Sequence, residues 1–204
     1  MYLANHRCHS NIKKIIALFL LLSGCVYNTA PENNADFKET VSIQDLVGVY
    51  QNAGNTSKDS HIRYLSSILW SNSSFPTNNK NLTHKDIQYI QVEAIENGVS
   101  ISAIANKCVL FKNQYIKGDK FDISDGKLII KRDVNLLTRG AGDALLGPSY
   151  ESVRLGVDTH GDGKYRSYFA AAGLGYLIVP LAVSGTIDIR FKKYNTAFIH
   201  QSCR

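Results

Sequence analysis

The feature that most constrains this chain is a two-residue alternation of apolar and polar side chains, broken at intervals by turn residues. In 86–95, Ile90, Val92 and Ala94 alternate with Gln91 and Glu93; after Glu96-Asn97-Gly98, Val99, Ile101 and Ala103 alternate with Ser100 and Ser102. Successive strand side chains point to opposite faces, so this spacing turns one row to a core and the other to water. Asn-Gly between two such runs predicts a hairpin. Residues 107–116 (KCVLFKNQYI) predict a third strand, and 121–123 with 127–134 flank Ser124-Asp125-Gly126 as a second hairpin. Near the end Ile187, Ile189 and Phe191 alternate with Thr186, Asp188, Arg190 and Lys192.

Helical spacing is confined to Ile62, Leu65, Ile68 and Leu69 within 61–70, and 133–147 (DVNLLTRGAGDALLG) reads as a loop with at most a turn of helix. Short alternating strands separated by turns argue against βαβ units. The expected class is all-β: a single antiparallel β-barrel or sandwich with one or two short helical turns.

Composition narrows the function. With 44% hydrophobic and 20% charged residues in 204, collagen-like, coiled-coil and wholly disordered chains are excluded. Four Cys in this length exclude a disulfide-built miniprotein. The formal charge of +6 points toward nucleic acid only until the N-terminus is considered.

Residues 1–14 hold His6, Arg7, Lys13 and Lys14 and no acid, and 15–22 (IIALFLLL) is an unbroken apolar run ending at Ser23, Gly24 and Cys25. This is the order of a secretory signal peptide. The run is far short of the ~20 apolar residues a spanning helix needs. Leu22-Ser23-Gly24-Cys25 resembles the lipobox of bacterial lipoproteins. The resemblance implies diacylglyceryl transfer to the Cys25 sulfur, cleavage before Cys25, and acylation of the new amino terminus, with palmitate among the chains. Two or more acyl chains anchor stably where one binds only marginally. In Gram-negative lipoproteins Asp after the Cys retains the protein at the inner membrane. Val26 stands there instead, so the resemblance implies a lipid-anchored protein of the outer membrane facing the periplasm.

Removing the first 24 residues leaves 180 and takes away Arg7, Lys13 and Lys14 but no acid, so the +6 becomes +3. Half the basic excess belongs to the export segment. Lys131-Arg132 and Lys192-Lys193 are isolated pairs at strand ends, and no nucleic-acid partner is expected. Beyond Cys25, 26–40 (VYNTAPENNADFKET) is polar and aperiodic, so the composition predicts a tether able to hold a folded domain ~20 Å from a lipid surface. The expected organisation is 1–24 signal peptide, 25–40 lipidated flexible tether and 41–204 β-domain.

Four constellations remain. Asp158-Thr159-His160-Gly161-Asp162-Gly163 matches the opening of a calcium loop. His160 offers nitrogen where oxygen is wanted, however, and Phe169 occupies the position of the closing acid. A tight hairpin turn is expected there, and no metal. Cys108 and Cys203 are the two thiols left once Cys8 is removed and Cys25 lipidated, and an oxidising compartment predicts that they pair. Residues 170–183 (AAAGLGYLIVPLAV) are the most apolar stretch; they read as core strand kinked at Pro180, the alternative being the wall of a lipid cavity or a dip into a membrane surface. Gly48-Val49-Tyr50 is similar, over three residues and with Tyr for Trp, to the Gly-x-Trp near the start of lipocalins. That resemblance implies a calycin-like barrel with the aromatic closing one end.

No nucleophile elbow, zinc-protease helix, C-x-x-C or P-loop is present, and His61, His84, His160 and His200 are scattered. Dispersed triads exist, so a hydrolase stays as the weakest alternative. No cofactor is expected. The expected role is a binding or accessory module in the cell envelope, tied to the membrane through Cys25 and taking an apolar ligand or an envelope protein as partner. The alternative is a structural or interaction component of an envelope complex.

Overall fold

Turn chemistry decides how the first sheet is built. The computed structural model describes residues 24–39, 42–57, 62–70, 82–119, 121–124, 127–130, 136–137, 145–175 and 179–194. The predicted first hairpin is present: β5 (Tyr89–Ile95) pairs antiparallel with β6 (Gly98–Ala105), from Tyr89↔Ile104 to Ile95↔Gly98. Gly98 is not in the loop but opens β6. Its glycine is demanded by the neighbouring strand, because a Cβ there would collide with the Tyr115 carbonyl oxygen of β7 (Cys108–Ile116). The left-handed turn comes one hairpin later, where Asn106 and Lys107, with φ of 50° and 63°, join β6 to β7. Positive φ at both central residues gives the mirror-image turn whose twist suits a hairpin. Central β6 is buried throughout, and edge strand β7 alternates between half-buried and exposed along most of its length.

β2 (Gly48–Gln51) and β14 (Lys193–Tyr194) complete a five-stranded sheet in the order β14-β2-β5-β6-β7. Between β2 and β5 lie three short pieces. They are α2 (Leu65–Leu69) inside the predicted helical stretch, a two-stranded ribbon of β3 (Ala53–Gly54) and β4 (Arg63–Tyr64), and a 3-10 turn at His84–Asp86. The only other described helix is α1 (Ile43–Leu46), where the Asp45 carboxylate accepts the Ser42 amide at 2.9 Å.

The second sheet has seven strands. Its path is β1 (Gly24–Thr29), β13 (Val179–Phe191), β12 (Gly163–Gly175), β11 (Leu145–Val157), β9 (Lys127–Ile130) and β8 (Phe121–Ser124), with β10 (Leu136–Leu137) also pairing β11. β8 and β9 form the second predicted hairpin, Ser124 opposite Lys127. The stretch read as a loop, 133–147, instead contributes strand at both ends, with Leu136↔Pro148 and Leu137↔Gly147. Apolar residues beside the glycines can pair there because a glycine in a strand costs only about 0.5–1 kcal/mol. Both sheets stay open among the described residues, so the all-β fold is sandwich-like and Tyr50 closes no barrel end.

The chain divides into two compact units. Among the described residues the smaller takes 24–27, 136–137, 145–151, 168–175 and 179–185, and the larger takes the rest. In the larger unit the two sheets bury a common core: Ile90, Val99 and Ile101 from one, Val153, Ile189 and Phe191 from the other. Trp70, after α2, closes this core with its ring edge-on to Phe111 at 5.3 Å. The smaller unit is different. The five-stranded sheet lies wholly in the larger unit, so the described part of the smaller one is a single layer of sheet. Of the stretch 170–183 expected to be core, Ala172 and Ala182 are exposed, and Ala170, Ala171, Gly173 and Val183 only half-buried; for the side chains of 174–181 the expectation lies outside what is described.

Candidate functional site

The residues singled out for lipid attachment stand in the smaller unit. Leu22 and Ser23 lie outside the described residues; Gly24 and Cys25 open β1 at the edge of the seven-stranded sheet, next to β13. Cys25 is exposed and its thiol is free. The strand is seated closely. Gly24 faces the Ala182 carbonyl oxygen, and a Cβ on Gly185 would collide with the Tyr27 carbonyl oxygen and press on the Phe169 ring. Only glycine lets β1 approach β13 at that point.

Beside Cys25 the sheet carries an open groove of about 400 Å3, walled by Val26, Tyr150, Ala171, Ala182 and Val183 among others. That is within the range of about 300–1,000 Å3 typical of ligand pockets. Val26 is 71% exposed, Tyr27 53%, Tyr150 50% and Tyr168 45%. The rings of Tyr150 and Tyr168 lie 6.4 Å apart, so the aromatic rim continues the groove. Glu151 is the one charged residue among the described residues of this unit.

The segment expected to be a free tether is held fast in its second half, in the larger unit. Asn34 donates to the Asp188 carboxylate at 2.6 Å, and Lys164 donates to Asn34 Oδ1 and to the Ala35 carbonyl, both at 2.6 Å. Lys38 N–H reaches the Val157 carbonyl, Thr159 N–H reaches the Asp36 carbonyl, and Phe37 is buried. Three cations, Lys127, Lys164 and Arg166, stand 5.5–5.7 Å from the Phe37 ring centre. Asn33, Asn34, Asp36 and Lys38 are exposed, as their polarity suggests, but Asn34 and Asp36 also bond the Lys164–Asp188–Arg166 cluster, so an exposed polar run need not be a free one. The signal missed in the sequence is Phe37, a lone large aromatic in an otherwise polar run.

That ion pair is the strongest charged cluster of the described residues, and its chemistry is closed. Lys164 is 2% exposed and spends its three protons on Asn34, Ala35 and Asp188, the last at 3.1 Å. Arg166 grips both Asp188 oxygens at 2.7 Å in a two-pronged pair. Burial pushes the Asp188 carboxyl up, but the hydrogen bonds from Arg166 and Asn34 and the two positive charges outweigh it, holding the group below the usual carboxylate range. The cluster offers neither a free base nor a nucleophile. It acts as a clamp on 33–38.

The Asp158 loop is a hairpin turn between β11 and β12. Asp158 Oδ1 accepts the His160 and Asp162 amides, both at 2.9 Å, and Asp162 Oδ1 accepts the Lys193 amide. Gly161, at φ 90°, supplies the left-handed step, and Gly163 leaves room for the Tyr50 ring. Of the histidines, His84 shares a 3.0 Å hydrogen bond with Ser66 and burial lowers its pKa, His160 is exposed in the turn, and His61 and His200 lie outside the described residues. Cys108 is disulfide-bonded; Cys203, its expected partner, lies outside the described residues.

The larger unit also has an apolar pocket of about 60 Å3, walled by Leu46, Tyr50, Leu65, Ile101 and Phe191 among others. At ~30 Å3 per water this is room for a couple of solvent molecules and not for a lipid. The chain matches no known protein family, no curated protein and no solved structure.

Proposed function

We propose that this chain is a cell-envelope lipoprotein, acylated at Cys25 and sorted to the outer membrane, whose β-fold serves as a binding or accessory module on the periplasmic side. The observation that carries the reading is the lipobox Leu22-Ser23-Gly24-Cys25 after a basic segment and an eight-residue apolar run. The exposed, free thiol of Cys25 beside an apolar groove supports it, because a thioether can be carried there without displacing packed side chains. An enclosed-ligand carrier is not favoured, since the sheets stay open and the larger unit's pocket is only about 60 Å3. A module that works from its surface fits better, and the Tyr150–Tyr168 rim is the exposed apolar patch such a module needs.

Metabolic labelling with a palmitate analogue in a Gram-negative host tests this. Label on the wild type and none on C25A is the expected result; equal labelling of both defeats the proposal. Density fractionation then tests the sorting, with V26D expected to move the protein to inner-membrane fractions. Val26 is 71% exposed, so that change leaves the fold intact.

A further inference from the structure

A lipoprotein on a free tether could hold its domain at any angle to the membrane. This one is different, because its attachment atom belongs to a strand already docked in the sheet. Gly24 and Tyr27 lie against Ala182 and Gly185 of β13, so no slack separates Cys25 from the smaller unit. Resting on the acylation reading above, we infer that the smaller unit itself seats in the interfacial layer of the lipid surface. The groove beside Cys25 would receive acyl chain, and Val26, Tyr150 and Tyr168 would enter the headgroup boundary.

Three observations converge on that surface. The first is where the groove opens. Cys25 is one of its walls, so acyl chains on its sulfur leave the protein between Val26, Tyr150 and the alanines of β12 and β13. The second is charge. Moving a charged side chain into a bilayer is costly, and the described stretches of β12 and β13 in this unit, Tyr168 to Gly175 and Val179 to Gly185, hold no charged residue. The third is the kind of apolar residue exposed. Tyrosine has an apolar ring and a polar tip, the combination enriched where hydrocarbon meets water. Tyr150 and Tyr168, 50% and 45% exposed and in ring contact, meet at the end of the groove.

A single-layer sheet with small apolar residues on its open face is poorly covered in water. Lipid supplies the missing cover with no second protein. The exposed apolar residues of β7 in the larger unit make a different surface: Leu110 and Ile116 share their face with exposed Lys112, which pairs with Glu93 at 3.0 Å, and a charged face of that kind is kept out of lipid.

The experiment uses the full-length protein, processed in a Gram-negative host and reconstituted into phosphatidylethanolamine–phosphatidylglycerol vesicles with or without brominated acyl chains. Trp70 is the chain's one tryptophan and is buried in the larger unit, so it serves as an internal folding reference. Y168W adds a reporter on the proposed surface, Y150W a second one should the first fail to fold, and L110W a control. Intact mass establishes acylation first. With the acyl mass present, the expected result is loss of the added Y168W or Y150W emission in brominated vesicles, with the L110W emission retained. Acylated protein whose Y168W and Y150W emission survives bromination overturns the seating and leaves the anchor standing. Quenching of all three alike overturns it as well. Absence of the acyl mass overturns the acylation reading itself, a failure separate from the other two.

Discussion

The three longest strands teach most when their two parts are compared. β11, β12 and β13 each contribute to both units, so one set of strands is seen in two surroundings. In the larger unit they bury Val153, Tyr165 and Phe191 together with charged Lys164 and Asp188. In the smaller they expose Tyr150, Tyr168, Ala172 and Ala182. The usual expectation is inverted in both: charge is inside where the Lys164 protons have acceptors, and apolar surface is outside where no second sheet lies among the described residues. Backbone pairing fixes that these residues are strand. What covers the side chains decides whether a residue type is favourable, and partners matter more than polarity.

The comparison is broken most severely through the larger unit's covalent tie. Cys108 and Cys203 stand 95 positions apart, and closing such a loop is worth up to about 4–5 kcal/mol in the chain-entropy account. If they pair, as proposed, the processed protein runs faster on a non-reducing gel than on a reducing one, and C203S abolishes the difference while lowering the urea midpoint. A second band shift in C203S equal to wild type would assign Cys108 another partner.

Next is the ion pair. D188A leaves buried Lys164 without its carboxylate and should cost about 3–5 kcal/mol, read from urea unfolding. The same group gives a pH signature. The Asp188 carboxyl is held below its ordinary value of 3.8, so its contribution is complete above that value and is lost as pH falls through the lowered one. Wild type should therefore lose stability in acid more steeply than D188N; parallel slopes would remove the clamp from the account. The smallest effect belongs to the smaller unit. Y168S at an exposed position should change stability by only about 0.5 kcal/mol while weakening contact with vesicles. A large loss of stability would show that Tyr168 is packed structure.

Legibility in the sequence follows the same division. The alternation is readable in 86–95, 107–116 and 186–191, and also in 98–105, where Ser100 and Ser102 are buried along with the apolar row. Where no second sheet lies among the described residues, the apolar composition of 170–173 and 182–183 reads as core, since composition records apolarity and not what lies opposite. The segment 33–38 failed for the converse reason. Its Asn34 and Asp36 are exposed as they look, and what the sequence does not record is that they also bond the distant Lys164, Arg166 and Asp188. For the proposed site, the resemblance of Leu22-Ser23-Gly24-Cys25 to a lipobox points to Cys25 directly. The groove and the Tyr150–Tyr168 contact depend on strands far apart in sequence, which no local pattern records.

The docking of β1 also sets an order of events. On the lipoprotein reading, the bond to be cut lies between Gly24 and Cys25, at the start of a strand paired with β13. A protease needs that stretch of backbone extended and unpaired, so acyl transfer and cleavage must come first. On that reading β1 would add last, and its arrival on the sheet edge would mark the step at which a maturing precursor becomes a finished protein.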